Sequence, residues 1–458
     1  SFGGKNLEGR VEKIIHRGSS EIVGTFFIKR GYGIVIPEMK KTGEEILIQK
    51  RDFSKARDGD KVVAKVIRWP SKNKKGEGRI TEVISRGGDS RGTVRALIRS
   101  FQLDEEFKPS VVQEAKAFAQ RVEKRDLQNR VDLRDQVVFT IDGADAKDLD
   151  DAVSIGKSEK GNILLGVHIA DVSHYVTEKS DLDKEARKRG TSVYLIDQVI
   201  PMLPKELSNG ICSLNAGEDR LTLSISMEVD QAGRVISHEI FPGVIRSRYR
   251  FTYAEVSDFL EEKLAAEERR SLPCKDELLQ LKGLAETLRR KRQQRGSLDF
   301  DLDEAYIILD AEGIPVSIEI AERRIANRMI EEFMLLANET IAEHFFHLET
   351  PFVYRVHEKP SAEKMEEFKR FLLGLGLEQR QAEELIHPRA LSRILEQVAG
   401  TEMEHVVNRI MLRSMKKAFY DTSCLGHFGL GVSYYCHFTS PIRRYPDLLI
   451  HRIIKEAL

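Results

Sequence analysis

The chain has 458 residues, 41% hydrophobic and 32% charged, with a formal net charge of zero. That length gives about two to four domains, and no apolar run approaches the roughly 20 residues of a membrane span. Cys212, Cys274, Cys424 and Cys436 do not make a disulfide framework in so long a chain, so a reducing, cytoplasmic compartment and no membrane are expected. The first residues, SFGGKNLEGR, carry neither an initiating Met nor a signal peptide, and a piece of a longer protein is expected. Charge is placed unevenly: residues 1–100 hold 23 Lys and Arg against 12 Asp and Glu, and the remainder 50 against 61. A basic front suits a polyanion such as nucleic acid and an acidic remainder suits cations, although a solvated surface gives the same counts.

Residues 1–17 read as a remnant strand of a preceding domain, because KNLEGRVEKII does not fit the strand pattern of residues 18–85. Those residues read as short strands rich in β-branched and aromatic residues: EIVGTFFI (21–28), GYGIVIPE (31–38), EILIQK (45–50) and KVVAKVIRW (61–69). Turn signals at Lys29-Arg30-Gly31, Lys41-Thr42-Gly43 and Asp58-Gly59-Asp60 separate them, and SKNKKGEGR (71–79) reads as a basic loop. Regularly spaced short strands predict a small barrel. Its aromatics, Phe26, Phe27, Tyr32 and Trp69, alternate with Lys29, Arg30 and Lys65. Some must be core, every second one along a strand, and the others suit a single-stranded nucleic acid.

Residues 86–130 form a connector with a predicted helix over 111–125. From 131 to 458 the elements lengthen into one mixed α/β domain. QVVFTI (136–141) and ILLGVHIADVSHYV (163–176) read as strands, and LTLSISMEVD (221–230) alternates with period two. Helices come next at 321–346, with Ile325, Met329, Phe333, Leu336 and Ala337 on one face, and at 404–419, with Val407, Met411, Met415 and Ala418.

TIDGADAKDLDDA (140–152) holds Asp142, Asp145, Asp148, Asp150 and Asp151 on a loop between two predicted strands, with Gly143 permitting a sharp turn. Carboxylates this close raise one another's pKa unless something positive holds them. A solvated loop tip is one reading. A calcium loop of the EF-hand kind is another, and it fails after its first position: Ala144, Ala146, Lys147 and Val153 stand where ligands and Gly should be. The third is a magnesium site, where paired ions clamp the attacking and leaving oxygens of a phosphoryl displacement. Asp150 and Asp151 are adjacent, so both can face such ions only if the backbone there is irregular.

This segment closely resembles the acidic signature of the ribonuclease II and ribonuclease R family of 3′→5′ exoribonucleases. RGTSVYLIDQVIPMLPKELSNGICSLN (189–215), RRIANRMIEEFMLLAN (323–338) and HFTSPIRRYPDLLIHR (437–452) resemble its further blocks, in family order, and SPIRRYPDL leans toward ribonuclease R. The resemblance implies an α/β mixed, RNB-type catalytic domain over 131–458, preceded by an all-β OB or cold-shock-type barrel. It implies hydrolysis of single-stranded RNA from its 3′ end, processively, to nucleoside 5′-monophosphates, by two Mg²⁺ ions with Mn²⁺ as an expected substitute, in a monomer.

Residue by residue, Asp142, Asp148, Asp150 and Asp151 match the metal-site acids, and Asp150 the one whose loss is tied to lost catalysis. Asp145 falls outside the set. Tyr194 resembles the tyrosine that packs on the 3′-terminal base and Phe300, in GSLDFDL, the ring closing the other side. Tyr253 and Glu331 resemble residues near the scissile end. Arg443 matches the catalytic-site arginine, and Arg444 is a further RNA contact. Glu332 reads as an exposed helical acid and RRKRQQR (289–295) as a solvated helix end near the RNA path. A zinc site from Cys424, His427, Cys436 and His437 is not expected, because adjacent Cys436 and His437 cannot easily reach one tetrahedral ion. The alternative reading is a non-catalytic RNA-binding protein with a degenerate nuclease domain, which predicts a lost aspartate or a lost Arg443; neither is missing.

Overall fold

Five strands close into a barrel: β1 (Glu21–Lys29), β2 (Tyr32–Pro37), β3 (Ile46–Gln49), β4 (Lys61–Arg68) and β5 (Gly76–Ser85), in the order β1-β2-β3-β5-β4. Only β3 and β5 pair in parallel. Phe26, Val35, Ile48, Val62 and Ala64 fill the interior at 0% exposure, while Tyr32 is 41% exposed. Alternation along β1 thus splits Phe26, edge-on to Phe53, from half-buried Phe27. The fifth strand takes in Gly76 to Arg79, which read as loop. At Gly78 a Cβ would lie 2.8 Å from Lys65 O, so glycine there permits a close approach to β4 and strand pairing where the composition looked like a turn. The chain is described here from a computed structural model, over residues 12–13, 15, 20–38, 45–71, 74–87, 89–300, 305–310, 314–320, 322–377 and 387–458. The expected remnant strand at 1–17 and the Lys41-Thr42-Gly43 turn lie outside or largely outside them.

The chain divides into two compact units: residues 1–106, 194–200 and 307–319 in one, and 107–193, 201–306 and 320–458 in the other. The first holds the barrel and α1 (Ser90–Ser100). The second starts with α2 (Pro109–Ala117), shorter than the predicted 111–125 helix. Phe118 turns extended, and its ring packs edge-on against Tyr175 at 5.5 Å.

The strands of the larger unit are β6 (Val131–Asp132), β7 (Phe139–Asp142), β8 (Asp151–Lys157) and β9 (Ile163–Ala170), followed by α3 (Val172–Tyr175) and α4 (Asp181–Arg189). The predicted strand over 163–176 stops at Ala170. Buried Asp171 is drawn to Arg130 and Lys455, each at 2.6 Å, and a helical turn begins after it. A short ribbon, β10 (Val193–Tyr194) and β11 (Val199–Ile200), precedes β12 (Asp219–Val229), β13 (Val235–Arg246) and β14 (Tyr249–Thr252). The seven-stranded sheet runs β14-β7-β8-β9-β12-β13-β6.

One sheet face packs Leu165, Val167, Ile169, Leu223 and Ile225 against α5 (Tyr253–Leu260), which precedes α6 (Ala266–Ser271), and against α7 (Lys275–Arg295) and α8 (Ile325–His347). The other carries Ala152, Ala170 and Val244 against α2, α3 and α4. The period-two pattern of β12 holds, but its polar side is also buried. Thr222 and Ser224 are 0% exposed and hydrogen-bond in a chain, Thr222–Ser224–His168–Ser154, each link 2.9 Å. Helices α9 (Ala362–Gly374), α10 (Pro388–Val398) and α11 (Glu404–Ser414) build a third core, and α12 (Tyr445–Ala457) closes the described residues. The helix predicted over 404–419 ends at Ser414, where Met415 becomes extended and Phe419–Asp421 pairs with Tyr354–Val356. Among the described residues no helix is long and apolar enough to cross a membrane.

Candidate active site

β7 delivers Asp142 at its last residue and β8 begins at Asp151, so the aspartate loop is strung between neighbouring sheet strands. The loop lacks regular structure yet is fully tied down. Arg250 donates to Ala144 O at 3.1 Å and Ala146 O at 2.6 Å. Ser213 Oγ accepts from Leu149 N at 3.1 Å and donates to Lys147 O at 2.9 Å. Ala170 N donates to Asp150 O at 2.9 Å. A turn does start at Gly143, closed by Ala146 N donating to Gly143 O at 3.1 Å, but Gly143 adopts no left-handed φ and a Cβ there would meet nothing within 4 Å, so the turn does not require glycine. This is the irregular backbone that adjacent Asp150 and Asp151 require.

Asp150 is 4% exposed. Its Oδ1 accepts from Ile442 N at 2.9 Å, and its Oδ2 lies 3.8 Å from Arg443 Nε. Burial pushes its carboxyl well up, against Arg443 and the Ile442 N–H, while Asp151 and Asp447 push further. Asp151 is raised to about 7 by burial and by Asp142. Asp142 is raised by burial and by Asp148. Arg443 counters all three. Asp145 is exposed and takes no part in these shifts. The four acids and Arg443 therefore share one electrostatic site.

Arg443 is held by its backbone. Its carbonyl accepts from Ser192 N at 2.9 Å and Thr191 Oγ1 at 3.0 Å, and Tyr445 N donates to Gly190 O at 3.0 Å. Its guanidinium, 43% exposed, is left to face the acids. Arg444 behaves differently. It bonds Asp447 Oδ1 at 2.7 Å, with side-chain exposures of 20% and 0%, and Asp447 also accepts from Ser440 N at 2.8 Å. Arg444 thus pins the turn that presents Arg443. Ile442 N–H, Asp447, Ser213 and Arg250 all build the site, and no sequence signal singled them out.

Parallel pairing of β14 with β7 sets Thr252 beside Asp142, and Thr252 caps α5, whose first residue is Tyr253. Burial raises the Tyr253 phenol, with Asp151, Asp142 and Glu331 pushing the same way. Tyr253 therefore lies within electrostatic reach of the aspartates and of Glu331. Glu331 is ion-paired with Arg323, and it lines a cavity of about 1280 Å³ together with Phe300, Asp299 and Glu332. Glu332 is not the exposed acid expected: it is 4% exposed and paired with Arg292 at 2.8 Å. Arg292, in the run read as solvated, is 5% exposed. Tyr194 belongs to the barrel's unit, on a turn closed by Leu195 N to Gln198 O at 2.8 Å, and is 53% exposed. It is not a core ring.

Among the described residues, no group of three or more His, Cys, Asp or Glu side chains is arranged to hold a metal ion by itself. The donor set is hard carboxylate oxygen, under-compensated in charge. That chemistry fits an ion such as Mg²⁺, which takes one or two carboxylates and fills its other positions with water and substrate phosphate oxygens.

A closed five-stranded barrel and a separate α/β unit with an acid loop define a two-part protein of the OB-plus-α/β class. Residues 130–458 match the RNB domain and residues 34–108 the cold shock domain. The chain belongs to the RNB-domain family. It is 46% identical to ribonuclease R of Thermotoga maritima over 98% of its length, spanning 63% of that relative, a little under two thirds. It resembles the structure of Mycoplasma genitalium RNase R in complex with ribose methylated single-stranded RNA, with a TM-score of 0.86 and 27% identity over 99% of this chain and 71% of that one. Yeast Ssd1, a pseudonuclease, shares the fold at a TM-score of 0.74 and 19% identity, over 96% of this chain and 55% of that one.

Proposed function

We propose that this chain is a Mg²⁺-dependent 3′→5′ exoribonuclease that shortens single-stranded RNA to nucleoside 5′-monophosphates. The observation that carries the reading is the set of upward-shifted carboxylates, buried Asp150 and half-buried Asp142 and Asp151, gathered about Arg443. The relatives named ribonuclease R support it. The pseudonuclease with the same fold shows that fold alone does not carry activity, so the weight rests on these residues.

Asp142, Asp148, Asp150 and Asp151 would hold the metal ions. Bound Mg²⁺ supplies Lewis-acid charge to the attacking water and the leaving 3′-oxygen. Arg443 binds the scissile phosphate and offsets charge developing on it, a term often worth about 3 kcal/mol per preorganised donor. Tyr253 and Glu331 orient the sugar and phosphate next to that bond. Phe300 stacks on the terminal base, and exposed Tyr194 offers a further ring for stacking on RNA. The barrel, with exposed Tyr32 beside Lys29 and Arg30 and with exposed Lys65 at the other end of β1, binds RNA through stacking and phosphate contacts.

The test uses 5′-labelled single-stranded RNA with Mg²⁺, with EDTA and with D150N, beside the matching DNA. Stepwise shortening of RNA alone, abolished by EDTA and by D150N, is expected. Internal fragments would identify an endonuclease. Intact RNA that shifts in a gel would overturn the reading in favour of a non-catalytic RNA-binding protein.

A further inference from the structure

Phe300 and Glu331 come from different segments, one beyond the end of α7 and one in α8, yet both line the same cavity. Arg323 spans the gap between them. Its Nη1 donates to Asp299 Oδ1 at 2.9 Å and its Nη2 to Glu331 Oε2. Asp299 is the covalent neighbour of Phe300. A guanidinium is a rigid fork that can hold two carboxylates at once, which the point charge of a lysine cannot.

A second ion path runs parallel to the first. Asp299 Oδ2 lies 3.4 Å from Arg289 and 3.5 Å from Arg292, and Arg292 Nε bonds Glu332, the neighbour of Glu331, at 2.9 Å. Burial opposes the Asp299 charge, but the Arg323 hydrogen bond and the surrounding guanidinium groups hold its carboxyl below the usual range. The two paths differ in exposure. The Arg292 side chain is 5% exposed and lies within the packed interior, whereas that of Arg323 is 31% exposed and lines the cavity.

We propose that Arg323 is a positioning residue. By bridging Asp299 to Glu331 it fixes the Phe300 ring relative to the Glu331 carboxylate, so that stacking on the terminal base and contact with its sugar act as one grip. The inference rests on the cavity being the seat of the terminal nucleotide.

The test uses the full chain and two RNAs of one sequence, one ending in an intact ribonucleotide and one in an abasic ribonucleotide. kcat and KM for removal of the last residue are measured for wild type, R323M, R323K, E331Q, F300A and R323M/E331Q, normalised to the folded fraction. Wild type is expected to prefer the intact end by about tenfold, the scale of one base stack. R323M should lose most of that preference, mainly through KM on the intact end, and R323K should recover only part of it. The double variant should be no worse than the more damaging single. Equal loss on both RNAs would mean that Arg323 is merely structural and would overturn the proposal, as would multiplicative effects in the double variant. If R323M does not fold, R323K keeps the same test. Should F300A lose the preference while both Arg323 variants keep it, the bridge is wrong but the seat stands. If F300A and E331Q both behave as wild type, the seat itself is wrong.

Discussion

Asp142, Asp150 and Asp151 on one side, and Asp299, Glu331 and Glu332 on the other, are two sets of three carboxylates in one unit of one chain. The first set meets Arg443, with a contribution from Arg250 at Asp142, and its members are all raised by burial and mutual repulsion. The second meets Arg289, Arg292 and Arg323 in direct ion pairs; Asp299 is lowered despite its burial, while burial raises Glu332 against the pull of Arg292. The contrast separates two uses of an acid. A cluster neutralised from within holds its own side chains, Glu331 among them, in a fixed arrangement. A cluster left short of positive charge has an unmet electrostatic demand, which on the proposed reading a divalent cation and a phosphate would meet.

Four measurements put that contrast at risk. The largest effect is expected at Asp150. D150N should reduce RNA hydrolysis by about a thousandfold or more, comparable to losing a principal electrostatic group, while gel-shift affinity for RNA is kept; activity within tenfold of wild type would remove Asp150 from the centre. Next comes the balanced cluster. E332Q leaves Arg292 buried with weaker partners, and breaking a buried pair costs about 3–5 kcal/mol. Urea unfolding should show a loss near the low end, since Asp299 and Ser297 remain beside Arg292.

A third effect is stabilisation by Mg²⁺. A ligand at a hundredfold its Kd adds about 2.7 kcal/mol to the folded state, so Mg²⁺ should raise Tm in wild type and much less in D142N or D151N, with E332Q responding as wild type. A fourth effect concerns buried groups that carry no charge. Burial pushes His168 and His451 from 6.5 down to about 4. The unfolded chain binds more protons between those values, so their stabilisation is complete above about pH 6.5 and is lost as pH falls through about 4. Tm should drop on acidification through this window, and less steeply in H168Q.

Much of the aspartate loop was legible because its information is local: five acids in thirteen residues, flanked by apolar strands. The barrel was legible for the same reason, except where glycine-permitted contact concealed β5. Glu332 and Arg292 were misread although the signal was present. Glu332 lies three residues after Met329 and four before Leu336, and Arg292 four after Leu288, so each stands on the apolar face of its own helix. A charge on such a face predicts a buried partner, and there position outweighs charge type. Ile442, Asp447 and Ser213 left no comparable trace. They serve the site through a backbone N–H, a buried pair and a hydroxyl, contacts that only tertiary folding creates.

The bond from Ile442 N to Asp150 joins residues 292 positions apart. During synthesis the acid loop leaves the ribosome long before the segment that completes it. Until Ser440–Tyr445 emerges and its backbone joins that of Gly190–Ser192, Asp150 has neither its N–H donor nor Arg443. The nascent chain therefore carries its acids without the arginine that offsets their charge. On the proposed reading, the acid loop cannot act until residues 440–445 have been made and have joined it, however early its own strands fold.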